Sequence, residues 1–129
     1  MKFFIIIFLF CFCHSFSQTI ESDFVNYCSD DTVELTLDYN DQYNFLQWQS
    51  FQNDSWVSIS ENASYQGVSS ENLIISNVDQ SFDDLLFRVI LDTGIVVANT
   101  LFSSTFSFNI YDEFVIGTLV GNQTICFED

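Results

Sequence analysis

The chain contains no proline, one histidine and two Lys or Arg residues among its 129. Histidine is the commonest general base and the usual partner of a Ser or Cys nucleophile. The sole one, His14, falls in an N-terminal segment that reads as a cleaved leader, so the rest of the chain lacks those pairings and any His-based metal site. Beyond that leader, Arg88 alone faces 18 carboxylates. Phosphate backbones are held by clustered cations, which excludes nucleic acid as a partner and disfavours an anionic membrane surface. No stretch keeps a helical period, and no Asp-x-Asp-x-Asp-Gly loop is present. No strand sets two inward carboxylates in an apolar pocket, as glycoside hydrolysis needs, so catalysis is not expected. Without proline, strand edges rely on charge for protection, which the surplus of Asp and Glu can supply. The same charge keeps a domain soluble and monomeric.

Long apolar runs are missing too, with one exception near the N-terminus. Residues 3–13 form one, behind Lys2 and before the small residues Ser15 and Ser17, which is the pattern of a secretory signal spanning residues 1–17 with cleavage before Gln18. The run is well short of the roughly 20 residues that cross a bilayer, and no transmembrane segment follows it. An uncleaved anchor and lipid attachment at Cys11 or Cys13 are the competing readings; the large Phe before each cysteine speaks against the second. A secreted or cell-surface location is expected, with a single domain over residues 18–112.

What is present is short-period alternation. Residues 32–39 set Val33, Leu35 and Leu37 against Thr32, Glu34, Thr36 and Asp38, a strand with one buried side. Residues 43–49 follow an Asn-Asp turn, with Leu46 and Trp48 on one face. After Asn53-Asp54, residues 55–60 make a short strand, and residues 62–67 read as loop. Residues 72–78 predict a strand with Leu73 and Ile75 inward, and residues 79–84 a connection. Residues 85–91 and 95–98 predict a hairpin turning at Asp92-Thr93-Gly94. Residues 105–111, with Phe106, Phe108 and Ile110 alternating, predict the last strand. The expected core is Leu35, Leu37, Leu46, Trp48, Leu73, Ile75, Phe87, Val89, Phe106 and Phe108. Strands at this spacing argue an all-β sandwich.

The run Cys28 to Asp31, Trp48, Trp56 to Ile59, Tyr65 to Val68 and Leu73 to Val78 resembles the immunoglobulin-like modules of large secreted and cell-surface proteins of Bacteroidota-type bacteria. Those modules run Cys-x-Gly-Asp, Tyr-x-Trp-x, Trp-x-x-Ile-x, Tyr-x-Gly-Val, Leu-x-Ile-x-Asn-Val, then Tyr-x-Cys. The resemblance covers most of residues 28–110 and implies an immunoglobulin-like β-sandwich of Greek-key connectivity, with Trp48 the buried residue of its third core strand. It also implies a non-catalytic binding or spacer role in adhesion or domain display, beside neighbouring modules of the same kind, with a protein or glycan at the cell surface as partner. Two positions depart from the pattern: Val89 stands where the second cysteine belongs, and Phe87 where its tyrosine does. Residues 113–129 look like a linker and the start of a second module, because Cys126-Phe127-Glu128-Asp129 echoes Cys28-Ser29-Asp30-Asp31 roughly 100 residues on. Cys28 and Cys126 either pair with each other, await partners in neighbouring modules, or stay as free thiols.

The sequence offers three kinds of candidate site. Asp79, Asp83 and Asp84 share one loop, and Asp30 and Asp31 open a strand; such oxygen-rich clusters suit calcium, the alternative being a solvated acidic surface. Phe51, Trp56 and Tyr65 could form an aromatic platform for sugar or peptide, the alternative being core packing. Asn53, Asn62 and Asn122 each begin a glycosylation acceptor triplet, which carries weight only in a eukaryotic secretory host.

Overall fold

The computed structural model describes residues 18–94 and 100–111. The residues read as leader (1–17), the second arm of the expected hairpin (residues 95–98) and the expected linker (113–129) lie outside them. Alternation builds the centre: β3 (Val33–Asp38) buries every second residue, and β4 (Phe45–Gln52) buries Leu46, Trp48 and Ser50. β7 (Asn72–Ile75) buries Leu73 and Ile75, and β8 (Phe87–Asp92) buries Phe87, Val89 and Leu91.

Around them lie shorter strands: β1 (Thr19–Glu21), β2 (Asn26–Cys28), β5 (Ser55–Ser58), β6 (Tyr65–Gln66), β9 (Thr100–Phe102) and β10 (Asn109–Tyr111). One four-stranded sheet runs β1-β3-β7-β6 and the other β5-β4-β8-β9, each with antiparallel neighbours throughout. β2 and β10 form a separate parallel pair. The inward residues of both four-stranded sheets meet in one cluster, so the protein is a layered all-β structure. Burying each Val, Leu or Phe of this cluster contributes about 1.5–3 kcal/mol relative to leaving it in water.

The turns use Asn and Asp where backbone φ is positive. Asn53 (φ 49°) and Asp54 (φ 60°) close the two-residue hairpin between β4 and β5, and Asp30, Asn77 and Asp84 adopt the same region. Both side-chain types reach the left-handed conformation at low cost. Between β5 and β7 the chain is stitched to β4. Trp48 N–H donates to the Val68 carbonyl (2.9 Å), Trp48 Nε1 to the Ser70 carbonyl (2.8 Å), and the Glu61 carboxylate accepts from Gly67 N (3.0 Å) and Val68 N (3.2 Å). Gly67 has φ +77°, and a Cβ there would stand 2.2 Å from the Asn72 carbonyl oxygen. Gly67→Ala is therefore expected to destabilise by more than about 1 kcal/mol, read as a lowered urea midpoint at unchanged slope.

The strand boundaries differ from expectation in several places. Residues 62–67 were expected as loop, but Tyr65 and Gln66 pair with Ile75 and Ile74. The partner of β8 is Thr100–Phe102, and the ladder runs on because Ser103 N donates to the Val89 carbonyl (3.0 Å) while its hydroxyl accepts from Val89 N (2.8 Å). Residues 105–111 do not form one strand: Phe106 makes a lone bridge to Phe87 and is only partly buried, and the chain then leaves that sheet to run beside β2. The other nine expected core residues are buried. No helix among the described residues is long and apolar enough to cross a membrane.

Candidate functional site

Because Phe87, Val89 and Leu91 point inward, the intervening Arg88, Ile90 and Asp92 of β8 face outward. The same parity turns Phe45, Gln47, Gln49 and Phe51 of β4 to that side. Register then decides which side chains meet. Gln49 stands opposite Arg88 and Ser58, Phe51 opposite Trp56, and Phe102 opposite Ile90. The outer face of the β5-β4-β8-β9 sheet thus carries four aromatic residues, of which Trp56 and Phe102 flank the only cation of the described part of the chain, Phe51 packs on Trp56 and Phe45 stands farther along opposite Asp92.

Arg88 is the centre of that face. Its Nε–H donates to Gln49 Oε1 (2.9 Å), while Gln49 Nε2 reaches Ser58 Oγ (3.4 Å). The guanidinium carbon lies 4.2 Å from the centre of the Trp56 ring and 4.3 Å from that of Phe102. Contacts of this kind draw a cation to the negative ring face. Burial lowers the Arg88 pKa from its ordinary value, and the group stays charged at neutral pH. Among the described residues no carboxylate pairs with it. Phe102 is 48% exposed, Phe45 49%, and Trp56 is half-buried against Phe51, the two ring centres 5.2 Å apart.

Of the expected platform, the structure brings Phe51 and Trp56 together but not Tyr65. Tyr65 belongs to the other sheet, where it packs against Phe82 and the core, and burial raises its hydroxyl pKa. Arg88, Gln49 and Phe102 complete the cluster, and the sequence reading did not single them out as site residues.

The acidic candidates serve the backbone. Asp79 caps the 3₁₀ helix Gln80–Phe82, where hydrogen bonds from the Ser81 hydroxyl and N–H hold its carboxyl below the ordinary value. Asp83 accepts from Ile110 N (2.8 Å), tying this loop to β10, and Asp84 takes a positive φ. Asp31 accepts from Cys28 N (2.7 Å). No group of three or more His, Cys, Asp or Glu able to hold a metal ion occurs among the described residues.

Cys28 is disulfide-bonded, so the free-thiol reading is corrected for this residue. Cys11, Cys13 and Cys126 all lie outside the described residues. Set against models of known protein families and against curated proteins, the chain gives no match.

Proposed function

We propose that the chain is a non-catalytic, immunoglobulin-like module of an exported or cell-surface protein, and that it binds through the outer face of the β5-β4-β8-β9 sheet. The strand order supports the immunoglobulin-like part: β1-β3-β7-β6 against β5-β4-β8-β9 corresponds to the A-B-E-D and C′-C-F-G arrangement of that sandwich, with Trp48 buried on the third core strand. Val89 and Phe87 fill the positions of its cysteine and tyrosine, so aliphatic and aromatic packing replaces the cross-sheet bond.

The observation that favours binding over a pure spacer is the Arg88, Trp56 and Phe102 cluster. Aromatic rings beside an arginine on one solvent-facing surface are the composition of an interaction site. A calcium-stabilised module is the weaker alternative, because Asp79 and Asp83 are already engaged by backbone N–H groups.

The test is capture of the full chain on a printed panel of neutral and acidic oligosaccharides, beside the double variant Trp56→Ala, Phe102→Ala. The expected result is a set of captured glycans whose binding falls at least tenfold in the variant, while its unfolding remains cooperative. An empty panel, or one unchanged by loss of both rings, would return the module to a spacer role.

A further inference from the structure

We infer that Arg88 is the anchor for a carboxylate and that the ligand is a carboxylated sugar within a largely neutral glycan. This rests on the binding role proposed above and names the chemistry of the same face.

A guanidinium presents its N–H donors in a planar fork. Here only Nε–H finds a protein acceptor among the described residues; the Nη donors have none. Gln49 fixes the plane of the group by accepting from Nε, and Ser58 in turn holds Gln49. The fork is therefore positioned before any ligand arrives, which reduces the ordering entropy that binding must overcome. A carboxylate matches such a fork with two parallel hydrogen bonds. The chain itself carries 18 carboxylates, yet none among the described residues occupies the fork.

The surroundings select the rest of the ligand. Phe102 and Phe45 are about half exposed and Trp56 partly so; Arg88 covers one face of Trp56 and of Phe102, and the ring surface left in solvent suits the apolar C–H face of a pyranose. The Gln47 amide nitrogen is taken up by the Ile59 carbonyl (2.8 Å), while Ser58 and Thr100 are exposed on the same side. Around Arg88 the central strands β4 and β8 have neighbours on both sides, so an extended peptide finds backbone partners only at the outer edges of β5 and β9 and none over the guanidinium. The formal net charge of −16 opposes a polyanion at long range, whereas an isolated sugar acid among neutral units meets the local positive charge with little of that repulsion.

The probes are a disaccharide ending in glucuronic acid, its methyl ester, and the matching glucose disaccharide, titrated against the full chain. Trp56 fluorescence and the Arg88 Nε–H resonance report binding. The acid is expected to bind at least tenfold more tightly than the ester or the neutral sugar. Arg88→Gln should erase that preference, and Arg88→Lys should restore only part of it. The ester comparison uses the unaltered protein, so it stands even if a variant fails to fold. Equal binding of all three sugars, lost only on truncation of Trp56 and Phe102, would overturn the carboxylate inference and leave a sugar-binding face. Binding of none of them would also overturn it, and an empty glycan panel would then remove the binding role as well.

Discussion

Trp48→Ala is expected to lower stability by about 3–5 kcal/mol, the range for removing a buried aromatic side chain. Trp48 is wholly enclosed, stands opposite Val89 on the neighbouring strand, and sends its indole N–H to the Ser70 carbonyl at 2.8 Å. The truncation leaves a cavity between the two sheets and frees the loop that the indole pins. A domain of this size is commonly stable by about 5–15 kcal/mol, so a large part of the total goes with one residue. Trp48→Phe separates the two contributions. It keeps most of the apolar volume but removes the donor to the Ser70 carbonyl, for an expected loss of about 0.5–1.5 kcal/mol from the hydrogen bond. Urea unfolding followed by far-ultraviolet circular dichroism measures both. A loss below about 1 kcal/mol for the alanine variant would show that the core does not close around this side chain.

Cys28→Ser should have a comparable effect, about 2–5 kcal/mol, as for other small domains that lose a native disulfide. Cys28 ends β2, and its backbone is already clasped by the Asp31 carboxylate and paired with Tyr111. Its bond thus joins a strand that both four-stranded sheets leave outside their ladders. Reductant should lower the thermal midpoint of the unaltered protein by the same amount as the substitution. Cleavage after Glu without reduction should release the Cys28 peptide linked to its partner, and if the leader is removed that partner is expected to be Cys126. An unlinked Cys28 peptide and a midpoint indifferent to reductant would refute this.

The long strands were legible because each has one buried face. Val33, Leu35 and Leu37 could be placed inward from spacing alone, and so could Leu73 with Ile75. The short ones were not. Two or three residues, as in Tyr65–Gln66 or Asn26–Cys28, complete too little of a period to be read, and their pairing depends on what the long strands leave exposed. The site divides in the same way. Phe51 and Trp56 could be paired from the Asn53-Asp54 hairpin, whose turn sets their register. Arg88 could be placed on the outer side of its strand, but its neighbours could not. Gln49 and Phe102 reach it through strand order, which alternation does not encode. The grouping of Asp79, Asp83 and Asp84 overstated what proximity in sequence means. Backbone N–H groups compete for carboxylates and here engage two of the three.

The parallel pairing of β2 with β10 also sets a clock on synthesis. Asn26 and Asn109, joined side chain to side chain, are 83 residues apart. At about 5–20 residues per second, roughly 4–17 s pass between the making of the first and the arrival of the second. Throughout that interval Tyr27 lacks the Phe108 ring that later lies 5.5 Å from it, and β2 has no ladder partner. The clasp between early and late chain is thus the last part of the described architecture that a growing polypeptide can complete, and a ribosome stalled before Asn109 holds an open molecule.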